Sequence, residues 1–352
     1  MTDTMNPKIW EKFPEDLFEV VLARLPIASI ICFRTVCRKW NNLIVSQRFS
    51  QLSAQVSQVY PWFYTTFGDN NYEVEAMYDP FMKRWYYPNT FEMKAFPVSS
   101  ARGFPVSSAR GLVCFADNHY YNPNLYVCNP MTQSYRKLPA GSIKRWCCSG
   151  MRMNGNTGYM VLKLGYAREY EIYDSVTKCW SHLGKIPECI KWPGFIIFNH
   201  VSIDNTLYFK HEEPEGILSY DTSTGVWTQH LIQALFDLTL AEVDGRIMLV
   251  GLVTENYDTC LCIWEVQKMT FLLKEVDRVP FSEFNGRLID LTCLGNKGLL
   301  LCCLKSRNRY RMITYNIATR EWVKVHVPYG RKLHKQKQLR GIAFQPCLTA
   351  MP

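Results

Sequence analysis

The chain has 352 residues, room for two or so domains, and its 47% hydrophobic content can fill a substantial core. Its net charge of +9 is moderate, and the densest basic stretches, 305–311 and 331–340, are not interleaved with aromatics as a nucleic-acid stacking platform would be. The longest apolar runs, such as 247–253, fall far short of the roughly 18 residues of a membrane helix, and the N-terminus has no run of signal-peptide length, so a soluble chain with no membrane partner is expected.

In chain order, residues 8–46 read as helical. Pro14 followed by Glu15 and Asp16 suits a helix start, with proline in the first turn and acids at the positive end of the helix dipole. Leu17, Val21 and Leu25 recur at four-residue spacing, and Pro26 stops the helix. Ile30, Phe33, Cys37, Trp40 and Ile44 continue the helical pattern, divided between two short helices. About forty residues cannot bury so many large apolar groups in a core of their own, so some must meet another surface. Cys37 reads as a packing residue, since no histidine lies near it in sequence.

From residue 60 onward the pattern becomes a repeat. "YDPFMKRW", "CNPMTQSY", "YDSVTKCW", "YDTSTGVW", "WEVQKMTF" and "YNIATREW" each carry a polar residue followed six positions later by an aromatic. The pairs are Asp79 and Trp85, Asn129 and Tyr135, Asp174 and Trp180, Asp221 and Trp227, Glu265 and Phe271, and Asn316 and Trp322, at intervals of 50, 45, 47, 44 and 51 residues. An Asp or Asn side chain can bond its own backbone two residues on and fix a turn, so each copy predicts a hairpin whose second strand begins at the aromatic. Two more strand-like runs precede each hairpin, as in "HVSIDNTLYFKH" before Tyr220. Four antiparallel strands every 40 to 50 residues predict the blades of a propeller, with the aromatics packed between neighbouring sheets.

The first hairpin is preceded by one clear strand, 62–67, whereas residues 340–346 form a surplus strand after the sixth. The surplus strand is expected to complete blade one from the inside and close the ring. The octapeptide "FPVSSARG" occurs in tandem at 96–103 and 104–111. The second copy makes the shorter hairpin with "LVCFA" and is expected to supply the inner strand of blade two, with Arg110 and Gly111 as the turn. The first copy then lengthens the connection from blade one, a duplication without chemistry.

The fourteen cysteines are dispersed through strand-like runs, with no C-x-x-C and no zinc-ligand spacing, which suits a reduced nuclear or cytoplasmic location. The seven histidines are scattered, "HEEPE" at His211 reads as an exposed turn, and phosphate-loop, metalloprotease and nucleophile-elbow motifs are missing. No catalytic residue, metal or cofactor is expected.

"FPEDLFEVVLARLP…SIICFRTVCRKWNNLI" resembles an F-box, whose usual form reads L-P-x-D-L, then R-L-P, then V-C-[KR]-x-W; Phe13 stands where Leu is commoner. The hairpin repeats resemble kelch repeats but lack their paired glycines. The whole chain is therefore similar to plant F-box/kelch-repeat proteins. The resemblance implies an α+β multidomain architecture: an all-α F-box at 1–48, a linker at 49–59 and an all-β, six-bladed kelch-like propeller at 60–352. It also implies a non-catalytic substrate receptor of an SCF-type ubiquitin ligase. Such a receptor docks on a Skp-type adaptor, here through Phe13, Pro14, Leu17, Leu25, Pro26, Ile30, Val36 and Trp40, and reaches the cullin and RING subunit through it.

The protein target is expected on the face of the blade-connecting loops, near 88–105, 139–147, 184–199, 231–238, 277–289 and 328–340. Lys332, Lys335 and Lys337 in the last loop suit an acidic target segment. Two alternatives stay open on the residues alone: a scaffold or transcriptional co-regulator without degradation, and a propeller that binds a ligand or catalyses from its channel.

Overall fold

The computed structural model describes residues 14–56, 61–69, 72–87, 103–117, 123–155, 158–190, 196–211, 215–232, 238–255, 258–268, 270–281, 290–306, 309–328 and 338–352. Four helices come first: α1 Glu15–Ala23, α2 Ile27–Phe33, α3 Arg38–Ile44 and α4 Gln47–Gln55. Pro14 and Pro26 each sit one residue ahead of a helix rather than inside its first turn. α4 begins where the Ser46 hydroxyl accepts the Phe49 amide at 3.1 Å. This fourth helix runs through most of the stretch expected to be linker, because Phe49 is fully buried against Leu22, Ala23, Ile30 and Ile44 and gives the helix a core to join.

The rest of the described chain forms six four-stranded antiparallel sheets. Blades II to VI span 104–137, 146–185, 196–231, 238–280 and 290–325 in chain order. Blade I takes three strands from 62–86 and its inner strand from Gln338–Phe344, which pairs with Trp62–Asp69 from Trp62↔Phe344 to Gly68↔Gln338. The ring is thus closed by the chain's last strand, as expected, which brings blade I to four strands like its neighbours. Six apolar clusters fill the seams between successive blades, each drawing on two adjacent sheets.

The second octapeptide copy forms the inner strand Phe104–Ala109, paired with Leu112–Ala116. Arg110 and Gly111 both have positive φ, +45° and +87°, the conformation of a two-residue turn that matches the twist of paired strands. Pro105, which has no amide to donate, falls at a register irregularity on this inner, single-partnered strand. The first copy lies outside the described residues apart from Gly103.

Five of the six hairpins have the expected local chemistry. Asp79, Asn129, Asp174, Asp221 and Asn316 each accept, through Oδ1, the amide two residues on, at 2.8–2.9 Å. Four residues after each comes a positive-φ position: Lys83, Gln133, Lys178, Gly225 and Arg320. Blade V departs from the expected alignment. Its positive-φ residue is Phe271, whose amide reaches back to the Gln267 carbonyl at 2.8 Å, so Gln267 and not Glu265 opens the turn. Glu265 stays in the strand, paired with Lys274 and 3.5 Å from Arg246, and Leu273 takes the place expected for the aromatic. Phe271 instead stacks from the turn on His230 of blade IV, with ring centroids 3.4 Å apart.

Candidate functional site

In an antiparallel blade, the first–second and third–fourth hairpins share one end of the sheet; the second–third loops and the connections to the next blade share the other. The propeller therefore has a turn face and a loop face. The F-box helices sit on the turn face. α2 is clasped from both sides: Ile27, Ala28 and Ile31 pack with Trp62, Tyr86, Met131 and Phe344 of the seam between blades I and II. Ile30, on its other side, packs with Leu22, Ala23, Ile44 and Phe49.

This double packing sorts the residues expected to contact an adaptor. Pro14 and Leu17 are exposed, Leu17 by 49%, and Val36 is the most open at 61%. Leu25 and Pro26 are half-buried, Leu25 against the helical core. Trp40 is half-buried between Phe33 and Phe18, with ring centroids at 4.7 and 5.3 Å. Ile30 has no exposed surface and cannot touch a partner; it is a core residue, because its side of α2 packs against Leu22, Ala23, Ile44 and Phe49. Phe13 lies outside the described residues. Two exposed residues extend the surface, Val21 at 41% and Val45 at 55%. Val21 was legible as a member of the α1 stripe, whereas Val45, at the end of α3, follows no sequence signal. Cys37 is exposed at the start of α3 rather than packed.

The blade aromatics do pack between sheets, and several tie the sheets by hydrogen bonds. The Trp85 indole donates to the His326 carbonyl at 2.6 Å, joining blade I to the end of blade VI. Trp180 donates to the Pro139 carbonyl at 2.7 Å and Trp322 to Asp277 Oδ2 at 3.4 Å, each reaching the preceding blade. Trp227 is buried with no partner for its indole N–H. Tyr135 is the exception to the packing rule and is exposed, because its cross-strand neighbour is Cys128 where blades I, III, IV and VI have a tyrosine ring. Met131 and α2 cover that seam instead.

On the loop face, the connection between blades II and III is held by Glu171. This carboxylate accepts the Ser142 amide at 2.8 Å and hydroxyl at 2.7 Å, and meets Lys163 Nζ at 2.5 Å. Burial alone pushes Glu171 up, but the hydrogen bonds from Lys163 and Ser142 outweigh it and hold the carboxyl below its ordinary value. Lys332, Lys335 and Lys337 lie outside the described residues. The ends of the two connections that flank blade I are neighbours: the Arg340 guanidinium lies 3.8 Å from the centroid of the Phe104 ring.

The axial channel holds a cavity of about 90 Å³ beside His200 and widens at the turn face into one of about 790 Å³, whose charged lining is Arg110, Arg152, Asp204, Glu242, Asp244 and Lys297. His200 is pushed down to about 4, chiefly by burial. All fourteen cysteines are free thiols, and burial pushes Cys114, Cys147 and Cys303 up to about 12, away from the thiolate form a nucleophile needs. His211, expected in an exposed turn, is buried at the end of a blade IV strand, 3.2 Å from the Gln229 amide nitrogen. Among the described residues no group of metal-ligating side chains is assembled, and no helix is long and apolar enough to cross a membrane.

A four-helix module with an exposed apolar flank, packed on the turn face of a closed six-bladed propeller, is the architecture of an F-box receptor. Residues 10–52 match the F-box domain family. The chain is 48% identical over 371 residues to F-box only protein 6 of Arabidopsis thaliana, an alignment covering 99% of this chain and 77% of that one. It is 24% identical over 379 residues to an F-box/kelch-repeat protein of the same plant, covering 98% of this chain and 89% of that protein. The chain belongs to the F-box proteins, of the plant SCF type. Among solved structures, TolB from Acinetobacter baumannii shares the fold alone, with a TM-score of 0.51 at 12% identity over 84% of this chain and 72% of that one.

Proposed function

We propose that this chain is the target-binding subunit of an SCF ubiquitin ligase, which marks its target for proteasomal degradation. The F-box binds a Skp-type adaptor, and through it the cullin and RING subunit. The propeller holds a protein target so that its lysines stay within reach of a charged ubiquitin-conjugating enzyme. The receptor's contribution is effective concentration, and it breaks and makes no bond itself. The observation that carries this reading is the exposure of Leu17, Val21 and Val36 on an F-box whose other side is committed to the propeller. Apolar side chains left open beside a filled core mark a partner surface.

The target site is assigned to the loop face, remote from the F-box. Lys332, Lys335 and Lys337 give that face an attraction for an acidic segment, and no direct nucleic-acid contact is included. The location is the nucleus, the cytoplasm or both. The test is proximity labelling from the intact chain and from a Leu17→Asp, Val36→Asp variant, followed by the half-lives of the labelled proteins. Targets captured by both forms but degraded only with the intact F-box support the proposal. Targets equally stable with either form would overturn the degradation step. Target capture unchanged by reversing the three lysine charges would remove the acidic-segment assignment.

A further inference from the structure

Five hairpins open with an Asp or Asn, and the carboxylate or amide oxygen does the same work in each. Two of these residues are buried, Asp79 and Asn129, and among the described residues only Asn129 also uses its side-chain nitrogen. Asn129 Nδ2 donates to the Cys347 carbonyl at 2.9 Å and to the Ala350 carbonyl at 2.8 Å. Its Oδ1 accepts the Met131 and Thr132 amides, so both ends of one side-chain amide are used. An aspartate, as at the matching positions of blades I, III and IV, could supply the oxygen but not the two N–H groups.

The strand that closes the ring continues as a strap, residues 345–352, across the turn face. A side chain at position 111 would strike it, since a Cβ there would lie 2.5 Å from the Cys347 Cβ; Gly111 leaves room for the close approach. Between the two carbonyls held by Asn129 stands Leu348. It packs both on the seam of blades I and II, beside Ile27, Ala28 and Ile31, and on the F-box core of Leu22, Ile30 and Phe49. The strap therefore wedges the F-box against the propeller, at a distance of 218 residues in sequence from the amide that anchors it.

We infer that Asn129 is a positioning residue: by holding the 347–350 strap it sets the angle between the adaptor-binding helices and the target-binding propeller. This deepens the receptor reading and rests on it, because a ligase bridge works only if both ends keep a fixed geometry. Asn129 touches neither adaptor nor target and acts through Leu348.

Asn129→Asp tests this with one atom changed. It keeps the turn's acceptor but turns an oxygen toward two carbonyl oxygens. Asn316→Asp is the control, since Asn316 opens the blade VI turn in the same way, through amides of Ala318 and Thr319, and holds no strap. Fluorophores placed by non-canonical amino acids at the exposed Gln51 of α4 and at Val176 report the F-box-to-propeller distance in the full chain. Amide exchange reports the strap.

Asn129→Asp is expected to broaden the distance distribution and speed exchange across 345–352 roughly thirty-fold, with Asn316→Asp at wild-type values. Adaptor affinity stays unchanged while target ubiquitination per bound receptor falls about tenfold, since reach and orientation govern transfer. Unchanged distance and exchange in Asn129→Asp, or equal changes in Asn316→Asp, would overturn the assignment. If Asn129→Asp does not fold, Leu348→Ser takes its place, and an unperturbed distribution there has the same consequence. The distance readout needs no ligase. Broadening therefore supports the latch even where the wild-type chain transfers no ubiquitin, an outcome that would remove only the receptor reading.

Discussion

Replacing Glu171 with alanine is expected to destabilise the propeller by about 2–4 kcal/mol. The magnitude follows from what is left behind. Lys163 lies directly across the strand pair from Glu171, and its side chain is 6% exposed. Without the carboxylate, the ammonium keeps, among the described residues, the Trp180 ring 4.4 Å away. Breaking a buried pair costs about 3–5 kcal/mol, and the cation–π contact offsets about 1 kcal/mol of that. The Ser142 amide and hydroxyl also lose their acceptor, so the blade II–III connection on the loop face loosens. Urea unfolding followed by tryptophan fluorescence measures the loss, and a second variant isolates its origin. Lys163→Met with Glu171→Leu removes both charges and is expected to recover at least about 2 kcal/mol. A Glu171→Ala loss below about 1 kcal/mol, or a double variant no more stable than the single, would refute the reasoning.

The remaining expectations use the same logic. Trp180→Phe is expected to cost about 1 kcal/mol more than Trp227→Phe by thermal unfolding, because Trp180 gives up an indole hydrogen bond whereas Trp227 gives up a buried N–H that has no partner. Ile30→Ala is expected to cost about 2–4 kcal/mol through a cavity in the F-box core. His200 titrates near 4 in the folded chain against 6.5 unfolded, so between those values the unfolded chain holds the extra proton. Its neutral burial therefore contributes about 3 kcal/mol at neutral pH, which is lost as pH falls from 6.5 toward 4. His200→Asn is expected to flatten the stability–pH curve across that window, and an unchanged slope would contradict the assignment.

The hairpins were readable from sequence because their chemistry is local: an oxygen that caps its own turn and an aromatic that starts the next strand. Blade V was misaligned by two residues for the same reason. Glu265 and Phe271 imitate the spacing, while the feature that marks the turn, a positive φ four residues after its start, leaves no composition signal where Phe271 or Arg320 adopts it. Ring closure was legible by counting strands. The partner-facing side of the F-box was not, because α2 is apolar on two sides and only tertiary packing shows that Ile30 faces inward while Val36 stays open. The strap was invisible for the same reason: Asn129 looks like any other turn residue until the chain end arrives beside it.

If the F-box flank is a working adaptor surface, it binds a purified Skp-type adaptor, and that affinity is the most direct measurement. Calorimetric titration of the intact chain is expected to give a one-to-one complex. Leu17→Asp with Val36→Asp is expected to weaken it by at least about a hundredfold at an unchanged unfolding midpoint, since both side chains are already exposed in the free protein. Full-strength binding by that variant, or no binding by the intact chain, would contradict the account.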